Sequence, residues 1–154
     1  MTDVQIDPLE AVTAEDAEAL AGLMRQLSSH APPLAQANFA RIIAGSSTTM
    51  FVARINGRIV GTATMVLIEV ASGSRVSIED VVVDESQRGT GIGDALMRVA
   101  VAAARAQGAG KVDLTSNPSR QAAHRLYLRL GFKKRQTDVF RLELDAEEDR
   151  KTLA

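Results

Sequence analysis

The spacing of hydrophobic positions changes several times along the chain, and the first changes predict one strand followed by two helices. Residues 4–9 are typical of a short strand. Thr13, with Asp16 three residues later, is typical of a capping box, and it predicts a helix that runs to about Leu27. A second helix is predicted over residues 34–44, where the apolar spacing is again helical.

The middle of the chain carries the clearest strand signals. Thr48–Ile55 and Arg58–Val70 are rich in β-branched residues, and the dipeptide Asn56-Gly57 separates them. Asn-Gly between two such segments is typical of a tight hairpin turn. After a further glycine-containing turn, residues 75–83 predict another strand.

The last third of the chain returns to helical spacing. The apolar stripe that begins at Ile92 continues to Ala106, and its alanine content indicates close packing against a sheet. The pattern beyond it predicts a short strand over residues 111–114, a helix over 120–130, a last strand over 139–144 and a frayed charged tail over 145–154. Since the sequence contains no repeat or linker, we expect a single domain over residues 1–154.

A glycine-rich loop, R-G-T-G-I-G over residues 88–93, connects a predicted strand to a predicted helix. A loop of this kind presents unpaired backbone N–H groups and the positive end of a helix dipole, with little side-chain bulk. These properties suit phosphate oxygens. A tight turn would need the same residues, so the loop by itself is weak evidence for a phosphate site.

Two common phosphate ligands fit this loop poorly. A nucleoside-triphosphate loop needs Gly-Lys-Ser or Gly-Lys-Thr, and Asp94 follows the last glycine here. A dinucleotide fingerprint would place its third glycine on Asp94 or Leu96. The loop also lies past the middle of a short chain, which leaves no room for a second half-sheet. Acyl-coenzyme A is the third possibility.

Two sequence blocks support coenzyme A. Arg88, Gly91 and Gly93 match a Q/R-x-x-G-x-G/A pyrophosphate loop, and residues 122–132 match A-x-x-L-Y-x-x-x-G-F. In this order the blocks resemble the GNAT superfamily of N-acetyltransferases, over about the C-terminal half of the chain. The resemblance implies an α/β (α+β) fold. Its central mixed, mostly antiparallel twisted sheet would have about six to seven strands, about four flanking helices, and a splay between the fourth and fifth strands.

The resemblance also implies a co-substrate and the residues of a site. It implies acetyl-CoA, with Tyr127 as the general acid that protonates the departing thiolate. Glu79 resembles the strand glutamate that members use as a base, directly or through water. Strand alternation would place Glu79 on the face of Val81 and Val83, with Asp80 on the opposite face. The implied cofactor contacts are Val81, Val82, Val83, Arg88, Gly89, Thr90, Gly91, Ile92, Gly93, Asp94, Asn117 and Tyr127.

The chain departs from the family pattern at two places. The family often carries an asparagine about seven residues before the tyrosine, and Arg120 occupies that position here. Asn117 lies further upstream, where it could reach the pantetheine arm or start the turn before Pro118. Asp94 suits the dipole of a first helical turn but would lie near a dianionic ligand, so a capping or solvated role is the alternative to cofactor contact.

The composition of the chain argues against several classes of binding partner. The chain has 154 residues, 45% hydrophobic residues, a formal net charge of −1, two histidines and no cysteine. It has no dense basic stripe and no apolar run long enough to span a bilayer, so we expect neither nucleic acid nor membrane as a partner. We also expect no metal site, no thiol nucleophile, no secretory signal and a cytoplasmic location.

Two functions remain open from the sequence. The first is an N-acetyltransferase that carries acetyl from acetyl-CoA to a primary amine of a small-molecule or peptide acceptor, by direct attack in a ternary complex, with a homodimer as an expected assembly. The alternative is a catalytically silent acyl-CoA-binding or sensing module. Residues 78–81, I-E-D-V, resemble amino-sugar-phosphate acetyltransferases, but the same letters occur in members that act on antibiotics, polyamines, amino acids and protein N-termini.

Overall fold

The chain folds around one mixed sheet in the computed structural model, which describes residues 3–144. The strands are β1 (Val4–Pro8), β2 (Thr48–Ile55), β3 (Arg58–Val70), β4 (Gly73–Val83) and β5 (Val112–Asp113). The helices are α1 (Ala14–Leu27), α2 (Gln36–Ile43), α3 (Ile92–Ala106) and α4 (Gln121–Arg129), with a 3-10 turn at Glu85–Gln87. The strands lie side by side in chain order, with β1 to β4 antiparallel and β5 parallel to β4.

The predicted elements up to α4 agree with these bounds to within two residues. The capping box at the start of α1 is confirmed: the Thr13 hydroxyl accepts from the Asp16 backbone N–H at 3.0 Å, and the Thr13 N–H donates to the Asp16 carboxylate at 3.3 Å. The Asn56-Gly57 hairpin is confirmed as well, with Ile55 opposite Arg58. These are local signals, which is why they could be recognised before the fold was known.

Asp16 also connects α1 to the sheet. Its carboxylate pairs with the Arg54 guanidinium of β2 at 2.7 Å and is largely buried. The hydrogen bond from Arg54 lowers the pKa of Asp16, and burial opposes that shift. The same carboxylate caps the helix and pairs with Arg54 of the strand. The pair therefore fixes where α1 begins relative to β2.

Helices cover both faces of the sheet, and strand alternation divides the core between them. The core beneath α3 and α4 includes Ala63, Met65, Val76, Ile78, Leu96, Met97 and Tyr127. The core beneath α1 and α2 includes Leu20, Leu23, Phe39, Met50, Val52 and Val82. Fully burying each large apolar side chain stabilises the fold by about 1.5–3 kcal/mol, so neither face is dispensable.

A β-bulge in β4 changes which residues share a face. Thr62 pairs with Val82 but Thr64 pairs with Glu79, so two residues, Asp80 and Val81, stand opposite Ala63 alone. Asp80 has φ +52°, in the left-handed region. The bulge agrees with what the family resemblance implied.

Strict alternation through this point was therefore the wrong expectation. Ile78 and Val81 both pack in the core beneath α3, whereas Val82 packs in the core beneath α1. Glu79, next to Ile78 in regular strand, lies on the face opposite Ile78 and therefore opposite Val81. The extra residue is the physical reason: an insertion of one in a period of two exchanges the faces.

β4 and β5 separate beyond their first two pairs. β5 pairs with Val76 and Ser77, and β4 then continues alone on that side to Val83 within the described residues. This is the splay between the fourth and fifth strands that the resemblance implied. It leaves a gap beside the end of β4, into which the start of α4 projects an arginine side chain.

The predicted last strand over residues 139–144 does not form, and the sheet has five strands in residues 3–144 where six to seven were expected. The segment makes no ladder with the short β5, and its apolar side chains are exposed, by 69% at Val139, 92% at Phe140, 78% at Leu142 and 76% at Leu144. Alternation describes a strand's faces but does not supply the neighbour to which it must bond. The predicted frayed tail, 145–154, lies outside the described residues.

No helix within residues 3–144 is both long enough and apolar enough to cross a membrane.

Candidate active site

The glycine loop forms the junction between β4 and α3. Gly91 is the N-cap of α3 with φ +89°, and Gly89 has φ +77°. No side chain caps this helix end. The N–H groups of the first turn have no partner within the helix, so they remain available to an anion beside the positive end of the helix dipole.

Gly91 and Gly93 differ in what a side chain at each position would meet. A Cβ on Gly91 would meet no atom within 4 Å, so its backbone conformation, not crowding by protein atoms, requires glycine there. A Cβ on Gly93 would lie 3.4 Å from Leu126 Cδ2 and 3.7 Å from Val83 Cγ2. Both distances are ordinary contacts, so the start of α3 packs closely against the end of β4 and α4, with room for little more than a methyl group at Gly93.

A cleft of about 710 Å³ brings the predicted loop, strand and helix residues together. It lies in the gap left by β5 and continues along the loop to α4. Most of the residues expected to contact a cofactor line it, namely Val81, Val82, Val83, Arg88, Gly89, Gly91, Ile92, Gly93, Asp94 and Tyr127. Its size suits an organic ligand of substantial length.

Two of the predicted contact residues lie outside the lining of this cleft. The Thr90 hydroxyl donates to the Gln87 carbonyl at 2.6 Å, a bond that holds the loop in its turn. The Asn117 side-chain carbonyl accepts from the Ser119 N–H at 2.9 Å and from the Ser119 hydroxyl at 2.8 Å. Asn117 thus forms the turn before α4, which is one of the two roles expected for it.

The charged residues of the loop are tied to neighbouring groups. Arg98 Nε donates to the Asp94 carboxylate at 2.6 Å, one helical turn along α3, and the pair offsets the negative charge of Asp94 near the positive end of the helix dipole. Arg88 Nε lies 3.3 Å from the Val83 carbonyl oxygen, to which it donates. The remaining donors of the Arg88 guanidinium can serve a ligand.

Tyr127 is the buried hydroxyl-bearing residue of the cleft. Its side chain is 7% exposed and packs against Phe132, with ring centroids 6.0 Å apart. Burial raises the pKa of Tyr127 above its usual value, and the nearby Arg120 charge opposes the shift. The phenol is therefore protonated at neutral pH, and it can donate a proton to a group in the cleft.

Arg120 is a cleft residue whose role the sequence did not indicate. It is the N-cap of α4, and its Nη2 donates to the Val81 carbonyl of β4 at 3.1 Å, across the gap left by β5. Sequence comparison could only note that it stands where the family often has asparagine. Its contact joins residues 39 apart in the chain, so no local pattern could have predicted it.

The two candidate base residues occupy different environments. Glu79 is exposed and accepts from the Ser77 hydroxyl at 2.6 Å. Asp80 occupies the left-handed position of the bulge and is exposed as well. Neighbouring protein atoms partly desolvate its carboxyl, and this, followed by the charge of Glu79, raises its pKa. Neither residue lines the cleft that contains Tyr127. An acceptor amine would have to enter beside the bulge to reach either carboxylate.

Gln26, near the end of α1, bonds to the segment that directly follows β4. Its amide donates to the Asp84 carboxylate at 3.0 Å, and its carbonyl accepts from the Glu85 N–H at 2.9 Å. The same side chain lines the cleft. The segment that follows β4 is therefore held in place by α1 as well as by its own turn, which keeps the glycine loop in register with the sheet.

Comparison with known proteins places these features in a family. A model of the Acetyltransferase (GNAT) family matches residues 15–132. The glucosamine 6-phosphate N-acetyltransferase of Trypanosoma brucei brucei is 35% identical over 152 residues, which cover 94% of this chain and 100% of that protein.

Solved structures have the same architecture. An acetyltransferase from Trypanosoma brucei superposes with a TM-score of 0.76 at 30% identity, over 92% of this chain and 100% of that one. The glucosamine-6-phosphate N-acetyltransferase of Arabidopsis thaliana gives a TM-score of 0.76 at 21% identity, over 91% of this chain and 98% of that one, a likeness of fold alone.

The loop generates a prediction about cofactor affinity. Gly91→Val should weaken coenzyme A binding by at least about tenfold, or 1.4 kcal/mol, because the branched side chain disfavours the left-handed N-cap and occupies the ligand's side of the loop. Isothermal titration with coenzyme A measures the affinity. Gly57→Val is the matched control, since Gly57 has φ +79°, is equally open and lies in the hairpin turn away from the cleft.

Both variants should lose roughly 1–2 kcal/mol or more of unfolding free energy from the same backbone strain. Only Gly91→Val should lose affinity. A folded Gly91→Val protein that binds coenzyme A as tightly as the parent would remove the loop from the site.

Proposed function

This chain belongs to the Acetyltransferase (GNAT) family, and from that premise we propose that it transfers acetyl from acetyl-CoA to the primary amine of a small molecule, by direct attack within a ternary complex. It is an acyltransferase, as its relatives are. One observation carries the proposal: a single cleft joins the uncapped start of α3 to the buried phenol of Tyr127. We further infer that residues 1–154 form one catalytic domain.

The residues of the cleft fit acetyl-CoA. Its pyrophosphate would bind at the start of α3, where the glycine backbone and the free N–H groups suit an anion. Its pantetheine arm would run beside the edge of β4 that β5 leaves, in the manner of an added strand. The Val81 and Val83 carbonyls on this edge accept from the Arg120 and Arg88 side chains, so the arm would bond to backbone groups there in place of these arginine contacts. Arginines line the same cleft at positions 88, 120, 125 and 129, which favours a ligand with several negative charges.

An amino sugar phosphate is the acceptor class that we propose to test first. The relative that matches along 94% of this chain is a glucosamine 6-phosphate N-acetyltransferase, and the I-E-D-V segment over residues 78–81 points the same way. The bulge at Asp80 is the place where such an acceptor would approach the thioester, because it adjoins the β4 edge assigned to the pantetheine arm.

The proposed reaction needs two proton transfers. The acceptor's nitrogen attacks the thioester carbonyl carbon, an amide bond forms, the carbon–sulfur bond breaks, and the sulfur leaves as a thiolate. Tyr127 donates the proton that converts this thiolate to a thiol, and the phenolate regains a proton from solvent. A carboxylate takes the proton that the amine nitrogen loses. Because the phenol is buried, it stays protonated until the thiolate forms.

We propose Asp80 as the carboxylate that accepts this proton, in preference to Glu79. The face argument that favoured Glu79 fails at the bulge, because Glu79 lies on the face opposite Val81. The raised pKa of Asp80 makes its carboxylate a stronger base than an ordinary aspartate. Glu79 contributes to that raised pKa through its charge, and it is the alternative base.

A homodimer and a cytoplasmic location are the remaining parts of the proposal. The cysteine-free sequence supports the cytoplasm. The exposed apolar side chains of residues 139–144 support self-association, because an apolar alternating segment without a ladder readily pairs with a free strand edge. We propose that the same segment of a second copy supplies that edge.

Tyr127→Phe tests the central chemical step. It keeps the ring and its packing on Phe132 but removes the proton donor, so turnover should fall by about ten- to a thousandfold while coenzyme A affinity changes little. Thiol release from acetyl-CoA with glucosamine 6-phosphate and an amine panel measures turnover. If Tyr127→Phe turns over as fast as the parent across the pH range, solvent supplies the proton. If the parent binds coenzyme A but releases no thiol with any amine, the binding-module alternative is supported.

Asp80→Asn and Glu79→Gln together test the base. The reaction needs the ionised carboxylate, so the parent's rate should rise as pH passes the pKa of Asp80, which lies above the ordinary aspartate value. Asp80→Asn should remove this acidic limb and lower turnover more than Glu79→Gln does. Asparagine tolerates the left-handed conformation and has nearly the same shape as aspartate, so unfolding free energy should not fall. A larger loss in Glu79→Gln would return the role to Glu79.

Phe140→Asp tests self-association through residues 139–144. Phe140 is 92% exposed, so the change places a charge in the segment without disturbing a core. Sedimentation equilibrium should show a dimer for the parent and a weaker dimer for the variant. Arg141→Asp, in the same segment but not apolar, is the control for added charge. A monomeric parent, or equal dimerisation in all three proteins, would contradict the proposal.

A further inference from the structure

Arg120 and Tyr127 face the same cleft from one helix. Arg120 is the N-cap of α4, and Tyr127 lies seven residues further along, close to two helical turns. Both line the cleft, and Arg120 is half-buried at its position before the helix. Its hydrogen bond to the Val81 carbonyl holds the guanidinium between β4 and α4, in the cleft that Tyr127 also lines.

The two side chains are chemically matched. Burial alone would make Tyr127 a weak acid, since it raises the pKa of the phenol, and the nearby charge of Arg120 opposes that rise. A guanidinium can only donate hydrogen bonds. In a hydrogen bond between the two side chains, the phenol oxygen would therefore be the acceptor, and its own proton would point elsewhere.

We propose that Arg120 is a positioning residue for Tyr127: it engages the phenol oxygen as an acceptor, directs the phenol proton into the cleft, and stabilises the phenolate that remains after proton transfer. This inference rests on the proposed function, because the proton's destination is the departing thiolate. An asparagine at this position could donate a hydrogen bond but could not supply the positive charge, so the arginine changes the chemistry of the acid.

The competing explanation is structural. The Arg120–Val81 bond connects the start of α4 to β4 where β5 has diverged, and its loss could loosen the helix. A structural residue would lower stability when replaced but would leave the acidity of the phenol unchanged. The ionisation of Tyr127 in the free protein therefore separates the two explanations.

The sequence makes this ionisation measurable. Tyr127 is the single tyrosine of the chain, and the chain has no tryptophan, so the ultraviolet absorbance of phenolate reports on one residue. Removing the charge with Arg120→Gln should raise the pH midpoint of this titration above that of the parent and lower turnover by about tenfold. Arg125→Gln removes a charge from the same helix and should leave the midpoint unchanged.

Arg120→Lys keeps a positive charge without the planar fork, so its midpoint should lie between those of the parent and Arg120→Gln. Equal midpoints for the parent and Arg120→Gln would overturn the inference, whatever happens to stability. If Arg120→Gln does not fold, Arg120→Asn takes its place, because asparagine also removes the charge and is favoured at a helix N-cap, and a midpoint equal to the parent's has the same meaning. The titration needs no substrate, so it tests the coupling between Arg120 and Tyr127 by itself. A parent without transferase activity would refute the proposed function, but the titration would still decide whether Arg120 affects the ionisation of Tyr127.

Discussion

The extra residue in β4 is the constraint on which the rest of the site depends. A strand that kept its register past Glu79 would direct Asp80, not Val81, towards α3, and the core beneath that helix would receive a charge. The bulge avoids this and returns Val81 to the core. It also bends the strand at the point where β5 has already diverged, so one local irregularity sets the face of each following residue up to the glycine loop.

Sequence patterns predicted the elements that depend on near neighbours. The capping box of Thr13, the Asn56-Gly57 turn and the glycine loop each act within a few residues, so the chain's order reveals them. The Arg120 contact with Val81 and the left-handed Asp80 depend on how distant strands are aligned. Family resemblance could imply a bulge, but strand alternation placed Glu79 on the wrong face because it assumes that no residue is inserted.

The segment over residues 139–144 shows that an alternating pattern alone does not make a strand. Its alternation is as regular as that of the strands that did form, yet its side chains remain in solvent. A periodic pattern states how a strand would present its two faces, whereas a ladder requires a partner edge at the right distance. β5 contributes only Val112 and Asp113 to the sheet, so the chain itself provides little edge for another strand.

The left-handed conformation of Asp80 also limits how this protein could change over time. Glycine, asparagine and aspartate are the residues that adopt such a backbone at low cost. Of these three, only aspartate carries a carboxylate. A glutamate would extend the reach of the acid but would strain the bulge. The substitutions tolerated at this position are therefore glycine and asparagine, which keep the backbone conformation but lose the charge. Under the proposed assignment of the base to Asp80, one substitution at this position would remove the activity and keep the fold, whereas no single substitution would give a longer acid in an unstrained bulge.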